Sequence, residues 1–131
     1  MLEDENPIKV LVVDDTTHVR EMLAAILSVS GFDVVAESAD GLDAVKAAET
    51  WAPDVVVVDY RMPGVDGLET ARRIRARRPD QTIILHSAFV DEALASAAAQ
   101  AGVALCLAKG DGIGALEQEI SRLTRPSRPA R

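Results

Sequence analysis

Short apolar runs alternate along the chain with stretches in which apolar residues recur every three or four positions. The runs predict β-strands, because most are rich in β-branched residues and none shows the polar alternation of a half-exposed strand. They span residues 8–13, 34–36, 55–58, 83–85 and 103–108. Uninterrupted apolar strands of this kind are typical of a parallel sheet that helices cover on both faces.

The stretches between and after these runs predict five helices with one apolar stripe each. The stripes are Val19, Met22, Leu23 and Ile26; Leu42, Val45 and Ala48; Leu68, Ala71 and Ile74; an alanine-rich stretch over 92–101; and Ile113, Leu116, Ile120 and Leu123. On the third helix, five arginines at positions 72, 73, 75, 77 and 78 are left for the solvent face. A βα unit repeated five times predicts a doubly wound α/β fold with parallel strands and right-handed crossovers.

The length of 131 residues fits one domain. We expect that domain over 8–124, with a disordered N-terminal segment at 1–7 and a flexible basic Pro/Arg tail at 125–131.

Composition narrows the function classes. A net charge of −7 repels the phosphates of nucleic acid, so we expect no nucleic-acid partner for this chain alone. The single cysteine, Cys106, excludes an internal disulfide and suits a reducing compartment. No apolar run approaches the ~20 residues of a membrane span. We therefore expect a cytoplasmic protein without a membrane partner.

Polar residues follow the ends of four predicted strands: Asp14 and Asp15, Asp59, Ser87 and Lys109. Any one of them has a plain structural explanation, such as a helix cap or a solvated charge. In a parallel sheet, however, the carboxyl ends of the strands meet at one edge, where ligands bind. We therefore expect three carboxylates, a hydroxyl and an ammonium group to converge there.

Such a cluster calls for a counter-ion. Two carboxylates about 4 Å apart repel by roughly 4 kcal/mol at an effective dielectric constant near 20. Mg²⁺ relieves this repulsion, because it prefers hard oxygen ligands and binds through a few carboxylates plus a phosphate oxygen. Carboxylates, a metal and a lysine are the groups that phosphoryl transfer uses, and a carboxylate can itself be the nucleophile.

The chain resembles the receiver domain of two-component response regulators over residues 8 to about 123. The resemblance rests on VLVVDD at 10–15, VVVVDYRMPGVDG at 55–67, LHSA at 85–88 and LAK at 107–109. The stretch GLETARRIR at 67–75 is similar to receivers of transcription regulators with a helix-turn-helix output.

The resemblance implies a flavodoxin-like strand order, 2-1-3-4-5, and a phosphoacceptor role for Asp59, with a histidine kinase or phosphotransfer protein as donor. It implies that Ser87 hydrogen-bonds to the phosphoryl group and that Lys109 forms an ion pair with it. The implied Mg²⁺ ligands are Asp14, Asp15, Asp59 and the backbone carbonyl of Arg61. Phosphorylation would switch a surface on the fourth helix, fifth strand and fifth helix, read by a protein partner or used for self-dimerisation.

Three positions near the site are unusual. Cys106 stands where the family usually carries Tyr or Phe, three residues before the lysine; we favour a small residue that fills the site over a redox-sensitive thiol. We hypothesise that Phe89 restricts the water that hydrolyses the acyl phosphate. His86 is expected at the pocket rim.

Other function classes stay open. A phosphatase with an aspartyl phosphate would place a second aspartate two residues after the nucleophile, where this chain has Arg61, so we expect a signalling domain and not an enzyme. The chain could instead be the receiver portion of a DNA-binding transcription regulator. A pseudo-receiver without phosphorylation fits poorly, since the acidic set is intact.

Overall fold

The structure, a computed structural model, describes residues 6–124, in which five strands alternate with five helices. The strands are β1 (Lys9–Val13), β2 (Asp33–Ser38), β3 (Val55–Asp59), β4 (Thr82–Ser87) and β5 (Leu105–Ala108). The helices are α1 (Thr17–Val29), α2 (Gly41–Trp51), α3 (Gly67–Arg77), α4 (Glu92–Gln100) and α5 (Ile113–Thr124). The expected tail 125–131, and residues 1–5 of the expected disordered segment, lie outside the described residues.

The strands form one parallel sheet in the order β2-β1-β3-β4-β5, which confirms the predicted fold class and strand order. Neighbouring β1 and β3 leave the sheet toward opposite sides, so a crevice opens beyond their carboxyl ends. Val13 pairs with Val58, and the residues that follow them, Asp14 and Asp59, therefore lie level at that crevice.

Two layers of core pack on the sheet, one on each face. The face that carries Val12, Val57 and Ile84 packs against α1 and α5. The opposite face, with Val13 and Leu85 among others, packs against α2, α3 and α4. Because β1, β3 and β4 are covered on both sides, their apolar runs show no polar alternation.

The predicted stripe of the third helix is confirmed, whereas that of the first is partly wrong. Leu68, Ala71 and Ile74 are all buried on α3. On α1, Met22 and Ile26 are 51% and 37% exposed, and the helix instead buries Leu27 beside Leu23 and Ala24.

The predicted stripe of the second helix is confirmed at two of its three positions, since Ala48 is buried and Val45 packs against the core as a partly buried residue. Leu42 is 55% exposed, and α2 meets the sheet and α3 through Gly41, Ala44 and Ala48. These small residues let the helix axis approach its neighbours closely: a Cβ on Gly41 would lie 2.3 Å from the Thr70 hydroxyl.

Two of the five arginines do not lie on the solvent face. Arg75 and Arg78 are half-buried and donate to the backbone carbonyl and the side-chain carbonyl of Gln81, at 3.1 and 2.8 Å. The amide of Gln81 donates in turn to the carbonyl of Pro53, at 3.0 Å. This buried glutamine ties the end of α3 to the amino edge of the sheet.

Between residues 6 and 124, no helix is long and apolar enough to cross a membrane.

Candidate functional site

Strand alternation places the site side chains on one face of the sheet. Asp14, Asp59 and Lys109 each come two residues after a member of the core layer that packs on α1 and α5, or after a residue packed against it: Val12, Val57 and Leu107. Since successive strand residues alternate between faces, the three polar side chains continue that layer beyond the strand ends. The apolar layer thus ends in a charged cluster.

Lys109 lies between two of the carboxylates. Its Nζ is 2.9 Å from Oδ2 of Asp14 and 3.4 Å from Oδ1 of Asp59. The Asp14 side chain is 3% exposed and that of Asp59 is 12% exposed. The burial makes these charges interact more strongly than surface pairs do.

Asp15 completes the acidic group. One carboxylate oxygen from each of Asp14, Asp15 and Asp59 lies within 4.8 Å of the others, an arrangement that could hold a metal ion. Three carboxylates and one ammonium group leave two negative charges, which a divalent cation balances. The all-oxygen donor set suits Mg²⁺.

Asp14 and Asp15 do not cap α1 with a side-chain hydrogen bond among the described residues. Oδ1 of Asp14 accepts a hydrogen bond from the backbone N–H of Thr16, at 2.9 Å, outside α1. The N-cap of α1 is Thr16, and it makes no side-chain cap hydrogen bond. By contrast, α2, α3 and α4 are capped by the carboxylates of Asp40, Asp66 and Asp91.

Burial and charge act against each other at Asp59. Burial raises the pKa of Asp59, the ammonium of Lys109 lowers it, and the nearby carboxylate of Asp14 raises it again; the net shift is upward. At Lys109, burial lowers the pKa, but the hydrogen bond to Asp14 and the charge of Asp59 outweigh it, and the pKa of the ammonium is raised. The cluster therefore favours a charged lysine and penalises the charge on Asp59.

Ser87 ends β4, and the hydrogen bonds of its hydroxyl within the described residues go to the backbone of Phe89. Its Oγ donates to the backbone carbonyl of Phe89 at 3.0 Å and accepts from the N–H of the same residue at 3.4 Å. Phe89 as a residue is 71% exposed.

The loop between β3 and α3 brings the backbone of Asp59 against the start of α3. The N–H of Gly67 donates to the carbonyl of Tyr60 at 2.8 Å, and a Cβ on Gly67 would lie 2.3 Å from the backbone oxygen of Asp59. Gly64 has φ +78°, a left-handed conformation that glycine adopts without strain. Arg61 is exposed, with its guanidinium 5.9 Å from the ring centroid of Tyr60.

His86, expected near the pocket rim, pairs with Asp59 in the strand register and is buried, at 6% exposure. Burial, then the charge of Lys109, lowers its pKa to about 4. Its Nε2 has no hydrogen-bond partner among the described residues. Strand alternation gives the signal for its position: His86 comes two residues after Ile84 and so lies on the face that packs against α1 and α5, as Asp59 does, whereas Ser87 lies on the other face.

Comparisons with known proteins agree with this site. The family model for the response regulator receiver domain matches residues 10–121. The response regulator GacA of Pseudomonas aeruginosa is 35% identical over 117 residues, which are 88% of this chain and 55% of that protein. This chain therefore spans about half the length of that relative.

Two further matches cover a larger share of the other protein than the match to GacA does. The chemotaxis protein CheY of Listeria monocytogenes is 43% identical over 82 residues, 63% of this chain and 69% of that protein. The solved receiver domain of the response regulator NarL from Mycobacterium tuberculosis superposes with a TM-score of 0.87 at 30% identity, covering 94% of this chain and all of that one. On this evidence, the chain belongs to the response regulator receiver domain family of two-component signalling.

Proposed function

We propose that this receiver accepts a phosphoryl group onto Asp59 from a histidine kinase or phosphotransfer protein in a Mg²⁺-dependent reaction, and that the resulting acyl phosphate acts as a switch in the cytoplasm. The observation that carries the proposal is the convergence of Asp14, Asp15, Asp59 and Lys109 within hydrogen-bonding and metal-binding distances of one another.

Each residue has a role that its surroundings support. Asp59 supplies a carboxylate oxygen that attacks the phosphorus of the donor, forming the P–O bond as the bond to the donor's imidazole breaks. Lys109, already charged and close to Asp59, pairs with the phosphoryl oxygens. Mg²⁺, when bound, neutralises charge on the transferring group; Asp14, Asp15, Asp59 and the backbone carbonyl of Arg61 would hold it.

The phosphorylated state is read on the surface formed by α4, β5 and α5. That surface binds a downstream protein partner or a second copy of the chain, because phosphorylation shifts the equilibrium between two arrangements of it. The exposed arginine at position 61, where an aspartyl-phosphate phosphatase would need an acid, supports a signalling role without substrate turnover.

Intact-mass spectrometry after incubation with acetyl phosphate and Mg²⁺ tests this proposal. The parent should gain one phosphoryl group, the Asp59→Asn variant none, and the exposed-site control Asp43→Asn the same as the parent. Chelation of Mg²⁺ should abolish the gain. Labelling of Asp59→Asn at the parental level, or sustained hydrolysis of a generic phosphomonoester, would refute the assignment.

A second candidate is the receiver portion of a DNA-binding transcription regulator. It is favoured by GacA, in which almost half of the protein lies outside the matched segment. The coding sequence beyond Arg131 in the genome distinguishes the two: a helix-turn-helix segment there supports this alternative, and a stop codon supports a partner-read receiver.

A further inference from the structure

Arg20 on α1 contacts the acidic cluster through the backbone of Asp14. Its Nη1 donates to the Asp14 carbonyl oxygen at 2.8 Å, and its Nε lies 3.4 Å from Oε1 of Glu37 on β2. The Arg20 side chain is 14% exposed, so the guanidinium is largely shielded from water. One guanidinium therefore links α1 to the carboxyl ends of two neighbouring strands, β1 and β2.

Asp14 is hydrogen-bonded at each of its polar backbone and side-chain atoms. Its N–H donates to the carbonyl of Ser38 at 3.1 Å, and its two carboxylate oxygens accept from the Thr16 N–H and the Lys109 ammonium, each at 2.9 Å. Arg20 supplies the donor for the remaining atom, the carbonyl oxygen. Because Asp14 is 2% exposed, water has little access to replace that donor. The guanidinium is therefore part of what holds the Asp14 backbone in place.

The loop that Arg20 holds carries two of the three carboxylates of the acidic cluster. Asp14 and Asp15 lie between the end of β1 and the start of α1. A metal ion binds more tightly to ligands that are already in place, because less conformational entropy is then lost on binding. We infer that Arg20 is a positioning residue for the divalent cation, which fixes the loop so that the carboxylates of Asp14 and Asp15 are set for the ion. This inference rests on the proposed function of the acidic cluster.

The charge of Arg20 alone would have the opposite effect on the cation. A guanidinium that contacts the Asp14 backbone lies close enough to repel a cation bound at the cluster, and the partly exposed Glu37 removes only part of that repulsion. Arginine is not itself a ligand, since it has N–H donors and no acceptor. Loss of Arg20 therefore strengthens cation binding if its charge dominates and weakens it if positioning dominates. The sign of the effect separates the two.

Cation binding by variants at position 20 tests the inference. Mn²⁺ is the probe, because it suits the same oxygen ligands as Mg²⁺ and its free ion is quantified by electron paramagnetic resonance. Arg20→Met removes the guanidinium and keeps an apolar stem, whereas Arg20→Lys keeps the charge and loses the planar fork of donors. Arg122→Met is the matched control, since Arg122 also pairs with a glutamate, at 2.6 Å, but on α5 with its side chain 62% exposed.

We expect the dissociation constant for Mn²⁺ to rise about 10-fold in Arg20→Met, by a smaller factor in Arg20→Lys, and not at all in Arg122→Met. Displacement of Mn²⁺ by Mg²⁺ should follow the same order. In labelling by acetyl phosphate, the half-saturating Mg²⁺ concentration should rise equally, while the rate at saturating Mg²⁺ stays within about 2-fold of the parent.

Urea denaturation supplies a measurement that a merely structural role would leave unmoved. If Arg20 only supports the fold, Arg20→Met lowers the free energy of unfolding by the same amount in Mg²⁺ and in chelator. If Arg20 positions the cation ligands, the loss is larger in Mg²⁺, because the variant also gains less from binding the ion.

Several outcomes would overturn the inference. An Arg20→Met protein that binds Mn²⁺ as tightly as the parent, or more tightly, would do so, as would equal stability losses in Mg²⁺ and in chelator. If Arg20→Met does not fold, Arg20→Lys decides: weaker Mn²⁺ binding than the parent supports positioning, and parental binding contradicts it. A parent that neither binds Mn²⁺ nor gains an acyl phosphate would instead refute the proposed function, and this inference with it.

Discussion

At the residue scale, the buried His86 makes the free energy of unfolding depend on pH. The buried imidazole has a pKa of about 4, against an ordinary value of 6.5, so the folded protein resists its protonation. A depressed histidine pKa means that the unfolded chain binds the proton more readily between these two values. The contribution to stability is present above pH 6.5 and is lost as the pH falls toward 4.

A His86→Leu substitution should remove this dependence. The downward shift corresponds to about 3 kcal/mol, so the free energy of unfolding of the variant, relative to the parent, should rise by up to about that amount between pH 7 and pH 4. Urea denaturation at a series of pH values measures the difference. The exposed His18 supplies the matched control, and His18→Leu should follow the parent. A constant offset between parent and His86→Leu over this range would contradict the prediction.

Gly67 allows α3 to lie close to the backbone of Asp59, because it has no Cβ. In Gly67→Ala the new Cβ would lie 2.3 Å from a backbone oxygen, which cannot rotate away, so either α3 or the phosphoacceptor must shift. We expect a loss of about 1–3 kcal/mol in the free energy of unfolding. Labelling by acetyl phosphate should slow as well, because Asp59 is displaced.

Gly114 is the control for that substitution. It lies on α5, where a Cβ would meet no other element among the described residues within 4 Å, so Gly114→Ala should gain about 0.5–1 kcal/mol through helix propensity. Chemical denaturation of both variants measures the two changes in the free energy of unfolding. Equal changes would show that a Cβ at position 67 does not clash with the backbone of Asp59.

At the element scale, the helix faces show what periodicity can predict and what it cannot. On α3 the small and large apolar residues are separated by arginines and only one stripe is possible. On α1, Leu23 could pair with Ile26 or with Leu27, and the sheet selects Leu27. On α2 the buried residues are a glycine and two alanines, and a search for large apolar residues does not detect such a face.

Gln81 makes a contact between elements that no pattern in the sequence predicts. Its amide reaches the carbonyl of Pro53, twenty-eight residues away in sequence, and that partner depends on the strand order. Gln81→Leu leaves the carbonyl and the Arg78 guanidinium without this partner. We expect a loss of about 1–3 kcal/mol in the free energy of unfolding.

The exposed Gln118 of α5 provides the comparison for Gln81. Gln118→Leu should change the free energy of unfolding by no more than about 0.5 kcal/mol, because it breaks no buried contact. Thermal or urea unfolding of the two variants measures this difference. Equal losses in the free energy of unfolding for Gln81→Leu and Gln118→Leu would contradict a stabilising role for the Gln81 contacts.

At the scale of the whole molecule, the acidic cluster was predictable because parallel strands bring their carboxyl ends to one edge whatever their order. That rule alone placed Asp14, Asp59 and Lys109 together. The engagement of Ser87 with Phe89 was not predictable, since it depends on loop backbone angles. The burial of His86 required the pairing of β3 with β4, which only the complete sheet supplies.

The same cluster makes the stability of the whole molecule depend on divalent cations. Without a cation the raised pKa of Asp59 shows that its charge costs folding free energy, so Asp59→Asn should be the more stable protein in chelator. Mg²⁺ at a hundred times its dissociation constant should add about 2.7 kcal/mol to the parent by mass action. The variant lacks one ligand, so its free energy of unfolding should gain less from Mg²⁺. The difference between the two melting temperatures should therefore narrow or change sign as Mg²⁺ is added. Asp43→Asn, scanned under the same conditions and with Na⁺ at matched ionic strength, separates binding from screening. Identical Mg²⁺ responses in the parent and Asp59→Asn would mean that the carboxylates hold the ion without Asp59.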